Sequence, residues 1–238
     1  LILFSHGLGG MRMQNTVQME ELASNGYIVI ATEHPFDAMV TVYSDGSIAK
    51  FNSFHVSDNI NDLDFWSTNM PHMDTRVEDL LFILDFILLN INSEDKIFRS
   101  IDLQKVGLLG HSYGGASVVV ASYYDERIDA CISLDGWVLP VKSIIIQNGL
   151  NIPFLYIGKN EWEGNPLNNI KLDSLLLSSN GSREVLPNTT HFDYADTPYF
   201  SKFTKILGLS GKLPMDTIKY KIKNAMVNFF DVHLKDNF

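Results

Sequence analysis

Short apolar runs recur along this chain, and most are followed by a helical pattern of apolar residues. That order constrains the fold more than any other feature. Parallel neighbouring strands need a crossover long enough to hold a helix, so repeated strand-then-helix order predicts an α/β architecture: a mostly parallel central sheet with helices on both faces. Residues 1–4 read as the first strand, residues 12–24 as a helix closed by Asn25-Gly26, and residues 27–32 as the second strand. Asp45-Gly46 lies between short apolar stretches, so residues 42–51 are expected to form a hairpin. Residues 52–72 are polar, with aromatics at Phe54, Phe65 and Trp66, and read as an irregular excursion. A helix is expected from Arg76 to Leu89, with Thr75 and Glu78 spaced as a capping box. Further strands are expected at 106–109, 130–134 and 153–157, and a weaker one at 183–186. A helix is expected after residue 112, running to Tyr123. The last helix, 216–234, puts Ile218, Ile222, Ala225, Met226 and Phe229 on one face. Repeats and linker-like composition shifts are absent, so residues 1–238 read as one domain, with an excursion at about 43–73.

Composition removes several classes. A net charge of −10 argues against a nucleic-acid partner, which calls for a basic face. The single cysteine, Cys131, excludes an internal disulfide framework and a cysteine-rich zinc site, and reads as a buried apolar filler. No apolar run reaches the ~18 residues of a membrane span. The chain opens inside an apolar run, so further sequence is expected ahead of Leu1. A signal or lipid anchor would lie there, which leaves the compartment, cytoplasmic or secreted, unread.

The chemistry starts at Gly110-His111-Ser112-Tyr113-Gly114, directly after an apolar strand and before a helix. Glycine two positions either side of a serine permits the tight strand-to-helix turn that pushes a nucleophilic hydroxyl into a cleft. The pattern arises by chance in roughly one chain in ten of this composition, so its context carries the argument. A serine hydroxyl needs a base, and the base an orienting acid. Of seven histidines, His6 and His111 lie in glycine motifs, His34 ends a strand beside Pro35, His55 and His72 lie in the excursion, and His233 ends the last helix. His191 follows the last expected strand, where the chain order serine, acid, histidine puts the base. The acid is open on strand position: Glu161 or Glu163 after the strand at 153–157, or Asp135 after the strand at 130–134. Ser5-His6-Gly7-Leu8-Gly9-Gly10 follows the first strand. Its backbone amides, with that of Tyr113, are placed to hold an oxyanion. It lacks the spacing and the lysine of a phosphate-binding loop.

Four blocks carry a resemblance that spans nearly the whole chain: residues 4–9, 110–116, 134–140 (Leu134-Asp135-Gly136-Trp137-Val138-Leu139-Pro140) and 191–196. The chain resembles the plasma and type II platelet-activating factor acetylhydrolases, serine-dependent enzymes of the α/β-hydrolase fold. The resemblance implies Ser112 as nucleophile, Asp135 as acid, His191 as base, and the Leu8 and Tyr113 amides as the oxyanion hole. It implies hydrolysis of short or oxidised sn-2 acyl groups of phospholipids without calcium, and no metal or organic cofactor. Trp137 and Phe192 are candidates for the substrate pocket, with core packing as the alternative for both and the same two readings open for Tyr113, and the excursion at about 43–73 is expected to border the active site. The apolar, lysine-bearing stretch 199–213 is expected to pack on the core, with peripheral contact with a lipid surface as the alternative. The enzymatic alternatives are a general short-chain carboxylesterase and a polyester- or cutinase-like hydrolase. The alternative of another class is a catalytically silent binding domain on the same fold. Oligomeric state is not read.

Overall fold

The computed structural model describes residues 1–52, 60–61, 63–162 and 165–235, and of residue 63 the backbone alone. Elements follow in the order β1 (Ile2–Ser5), α1 (Thr16–Ser24), β2 (Val29–Thr32), β3 (Val40–Val42), β4 (Ile48–Lys50), α2 (Leu63–Asn90), α3 (Lys96–Arg99), β5 (Gly107–His111), α4 (Tyr113–Tyr124), β6 (Ala130–Leu134), α5 (Ser143–Asn148), β7 (Phe154–Gly158), α6 (Pro166–Ser178), β8 (Ser182–Val185), α7 (Thr197–Phe200) and α8 (Met215–Leu234). Among the described residues, six strands form one sheet in the order β2-β1-β5-β6-β7-β8, and every pair in it is parallel. β3 and β4 pair antiparallel across the Asp45-Gly46 turn, as the dipeptide leads one to expect.

Side chains alternate across the strands and build two cores. Leu1, Leu3, Leu108, Cys131, Phe154 and Tyr156 face one side, where α2, α4, α5 and α6 cover them. Ile2, Phe4, Leu109, Ile132, Leu155 and Ile157 face the other, under α1 and α8. Each such buried side chain contributes ~1.5–3 kcal/mol relative to exposure. On α8, Ile218, Ile222, Met226, Phe230 and Leu234 supply the buried stripe, while Ala225 and Phe229 are half-buried at its margin.

The largest departure from the sequence reading is α2. It starts at Leu63 rather than near Arg76 and runs through Pro71. Thr75 is therefore inside the helix, its hydroxyl donating to the Pro71 carbonyl at 2.9 Å instead of capping an N-terminus. Phe65 and Trp66, read as part of an irregular stretch, lie in its first turns and meet edge to face at 5.0 Å. Phe54 and His55 lie outside the described residues. Helices α3, α5, α6 and α7 were not anticipated at all.

Register sets the site. Ser5 pairs with Gly110, His111 with Leu134, and Leu134 with Ile157. The carboxyl ends of β1, β5, β6 and β7 therefore lie level, and the residues after them emerge along one edge. The chain winds outward in both directions from the β1–β5 pair, so that edge holds the crevice where open α/β sheets bind ligands.

Candidate active site

Ser112 sits between β5 and α4 with φ 58° and ψ −121°, a backbone conformation an L-residue holds only under restraint. The flanking glycines supply the restraint. A Cβ on Gly110 would collide with the Gly114 backbone, and one on Gly114 would collide with the Ser5 carbonyl at the end of β1. The Ser112 amide donates to the Leu134 carbonyl at 3.0 Å, and the Ser112 carbonyl accepts from the Trp137 amide at 3.0 Å. The turn is thus pressed into β1 on one side and tied to β6 on the other.

His191 opens a 3-10 turn spanning His191–Tyr194. Asp193 secures that turn, accepting from the Thr190 amide at 2.7 Å and the Gly211 amide at 2.8 Å. The imidazole Nε2 lies 2.9 Å from Ser112 Oγ and Nδ1 lies 2.7 Å from Asp135 Oδ2. Asp135 is fully buried, and its other oxygen accepts from the Tyr156 hydroxyl and the Lys159 amide, each at 3.2 Å. With two outside donors on one oxygen, the second oxygen is turned to the imidazole. Lys159 Nζ stands 3.9 Å from the same carboxylate, and Trp162 meets the His191 ring edge at 4.9 Å.

His111 completes the support. Its ring stacks on His191 at 4.6 Å. Its Nδ1 faces the Gln14 amide nitrogen, so its Nε2–H is the donor to the His191 carbonyl at 3.2 Å. Burial, followed by the neighbouring His191, pulls its pKa down to about 3, so it is neutral at ordinary pH. Gln14 Oε1 accepts from the Gly7 amide at 3.2 Å. The loop after β1 is in this way connected through Gln14 and His111 to the histidine loop. A Cβ on Gly7 would stand 3.2 Å from Ser112 Cβ, which shows how closely the loop approaches the serine.

Ser112, His191, Leu8 and Phe192 line one cavity of about 650 Å³, with Met11, Met13, Met39, Val17 and Phe200 making most of its wall apolar. A hollow of about 750 Å³ borders the opposite end of β6 and β7, near Ser122 and Asn151, and contains none of these groups. Of the sequence candidates, Phe192 is 45% exposed and lines the site cavity. Trp137 is buried against Phe65 and Tyr113 and is not among the cavity's lining residues. Glu161 is exposed, and the imidazole Nδ1 faces Asp135 instead; Glu163 lies outside the described residues. Gln14 and Lys159 were missed by sequence reasoning, because neither lies in a recognisable motif. His111, in the glycine turn, was read as shaping that turn only. Among the described residues no group of three or more His, Cys, Asp or Glu side chains is placed to hold a metal ion.

A second Ser–His–Asp arrangement lies nearby. Ser5 Oγ is 2.9 Å from His34 Nε2, and His34 Nδ1 is 2.7 Å from Asp79 Oδ2. Ser5 and His34 are buried, and the His34 side chain is 1% exposed against 31% for Asp79.

A family model described as platelet-activating factor acetylhydrolase, isoform II, matches residues 1–238. The chain is 28% identical to the platelet-activating factor acetylhydrolase of Canis lupus familiaris over 98% of this chain and 57% of that protein. It is 26% identical to that of Gallus gallus, over 98% and 62%. It is also 26% identical to a probable 1-alkyl-2-acetylglycerophosphocholine esterase of Arthroderma benhamiae, over 100% and 59%. The chain therefore spans about three-fifths of the length of these curated relatives. A solved ferulic acid esterase from Streptomyces cinnamoneus superposes with a TM-score of 0.75 at 26% identity, over 98% of this chain and 67% of that one. The parallel sheet, the serine turn after β5 and this likeness make the fold that of the α/β-hydrolases, and the chain belongs to the platelet-activating factor acetylhydrolase, isoform II, family.

Proposed function

We propose that this protein is a serine esterase that cleaves short acyl esters, the sn-2 acetyl ester of an ether phospholipid among them. The observation that carries this is the His191 bridge, 2.9 Å to Ser112 and 2.7 Å to Asp135, at the base of an apolar cavity. Ser112 Oγ attacks the ester carbonyl carbon while His191 Nε2 takes its proton. Asp135 holds the Nδ1–H tautomer and stabilises the imidazolium. The Leu8 and Tyr113 amides receive the oxyanion, an interaction whose loss costs ~10²–10³ in rate per donor. The tetrahedral intermediate expels the alcohol, which takes the proton from His191, and leaves an acyl-serine. Water, deprotonated by His191, then releases the acid. The names of the relatives, acetylhydrolase and 1-alkyl-2-acetylglycerophosphocholine esterase, support the phospholipid substrate.

Peripheral docking on a lipid surface fits the same reading. Phe200 lines the cavity and is 79% exposed, and Phe203, Ile206 and Leu207 are exposed in the segment that follows, beside Lys202 and Lys205. With a net charge of −10, a zwitterionic surface suits it better than an anionic one.

A second reading, a general carboxylesterase, is favoured by one observation: neither Lys nor Arg is among the described residues lining the cavity, so a phosphate is not read there by charge. Acetate release from a 2-acetyl ether phospholipid, measured beside p-nitrophenyl acetate for wild type and Ser112→Ala, separates the two. Serine-dependent cleavage of the phospholipid supports the acetylhydrolase reading. Cleavage of p-nitrophenyl acetate alone supports the carboxylesterase, and cleavage of neither sinks both and leaves a binding domain.

A further inference from the structure

Arg76 is fully buried at the middle of α2. An arginine in that place is expensive, since a buried guanidinium loses its hydration and a leucine or methionine would fill the space without that cost. Its fork is spent on the loop after β1 and on Asp37 in the segment after β2. Nε donates to Asp37 Oδ2 at 2.6 Å, Nη1 donates to the His6 carbonyl at 2.7 Å, and Nη2 reaches the Gly7 carbonyl at 3.5 Å. The guanidinium also lies over the Tyr113 ring, 5.0 Å from its centre, and Tyr113 follows Ser112.

These contacts matter because a trans peptide is rigid, with its C=O and the following N–H pointing in opposite directions. The His6–Gly7 peptide is held at both ends: Arg76 takes the carbonyl and Gln14 the Gly7 amide at 3.2 Å. In the Gly7–Leu8 peptide, the carbonyl accepts from His6 Nδ1 at 2.7 Å, from the Gly10 amide at 3.0 Å and from Arg76. Its other end, the Leu8 N–H, has no acceptor among the described residues. The Asp37 carbonyl holds the Gly9 amide at 2.8 Å from the far side.

We propose that Arg76 is a positioning residue of the oxyanion hole: by fixing the two peptides ahead of Leu8, it aims the Leu8 N–H at the carbonyl oxygen of a substrate on Ser112. It acts through the loop and does not touch the substrate. This rests on the esterase reading above.

The test is the turnover of p-nitrophenyl acetate by Arg76→Lys and Arg76→Met, with the inhibition constant of a trifluoromethyl ketone, whose serine adduct places an oxyanion in the same hole. A loosened donor is expected to lower kcat by ~10–10²-fold with KM changed less than about threefold. The inhibition constant should rise by the same factor, and Arg76→Lys should retain more activity than Arg76→Met. A lower Tm with unchanged kcat per folded molecule and unchanged inhibition would overturn the assignment. If both variants fail to fold, His72→Gln serves instead. His72 is 24% exposed and holds the other oxygen of Asp37 at 2.6 Å. It should lower kcat about threefold with a matching rise in the inhibition constant, and no change in either would overturn the assignment. Ser112→Ala with wild-type turnover would instead remove the esterase reading itself, whatever Arg76 does.

Discussion

Ser112, His191 and Asp135 are linked at 2.9 and 2.7 Å, and Ser5, His34 and Asp79 are linked at the same two distances. Hydrogen-bond geometry does not tell them apart; their surroundings do. Ser5 is the last residue of β1, buried among paired strands. Ser112 is on a turn with positive φ that faces a cavity. The burial order is also reversed. In the first chain the carboxylate is sealed and the serine end is open. In the second the carboxylate is the exposed end, at 31%, and the serine is sealed. A nucleophile needs room for a carbonyl and preformed donors for its oxygen as well as a base. Ser5 has a base and no room, so its chain ties β1 to the segment after β2 and to α2.

Exchanging the serines should break the symmetry most sharply. Ser112→Ala is expected to lose at least ~10⁴-fold in kcat on p-nitrophenyl acetate. Ser5→Ala should keep kcat within about threefold and instead lose ~1–2 kcal/mol in urea unfolding, because His34 Nε2 is left buried and unpaired. A fluorophosphonate found by peptide mapping on Ser5 would reverse the two roles. The acids give the next contrast. Asp135→Asn should cost ~10⁴-fold in kcat by favouring the wrong imidazole tautomer, whereas Asp79→Asn should leave turnover within a few-fold. Equal losses in the two variants would show that both chains serve the reaction.

The smallest effect is read in stability against pH. Burial holds the pKa of His6 at about 2 and that of His111 at about 3, and keeps His34 well below its ordinary value. The unfolded chain protonates these near 6.5 while the folded one does not, so their contribution is present above pH 6.5 and is lost as pH falls. Burial raises Asp79 and Asp196 to about 6, so between about pH 4 and 6 the folded state binds their protons and the loss is partly offset. Urea midpoints should fall from pH 7 to 5, and Asp79→Asn should make that fall steeper. An unchanged slope would remove Asp79 from this account.

The serine and the histidine were legible because each follows a strong local signal, a glycine-framed turn after an apolar strand and a loop after the last strand. The acid was not legible from strand position, since Asp135 and Glu161 both follow strands; the family resemblance implied Asp135, and the imidazole Nδ1 faces that residue at 2.7 Å. The front half of α2 was hidden for a different reason. Its buried positions include Phe65 and Met73 but also Asn69 and Arg76, so polar residues interrupt the apolar period. α6 hides in the same way, with Asn168 fully buried and bonded to the Leu139 amide and the Gly136 carbonyl. Side chains that hold loops in place are polar, and a reading based on hydrophobic period passes over them.

Asn69, His72, Arg76 and Asp79 recur along α2 at spacings of three and four; the Asn69 backbone carbonyl accepts from the Tyr113 hydroxyl, and the side chains of the other three meet Asp37, the loop after β1 and His34. A helix turns about 100° per residue. Loss or gain of a single residue between 69 and 79 would swing part of that row away from its partners at once, with no loop inside the helix to absorb the slip. Length changes in descendants of this chain must therefore collect outside this stretch, while α2 itself can change by substitution alone.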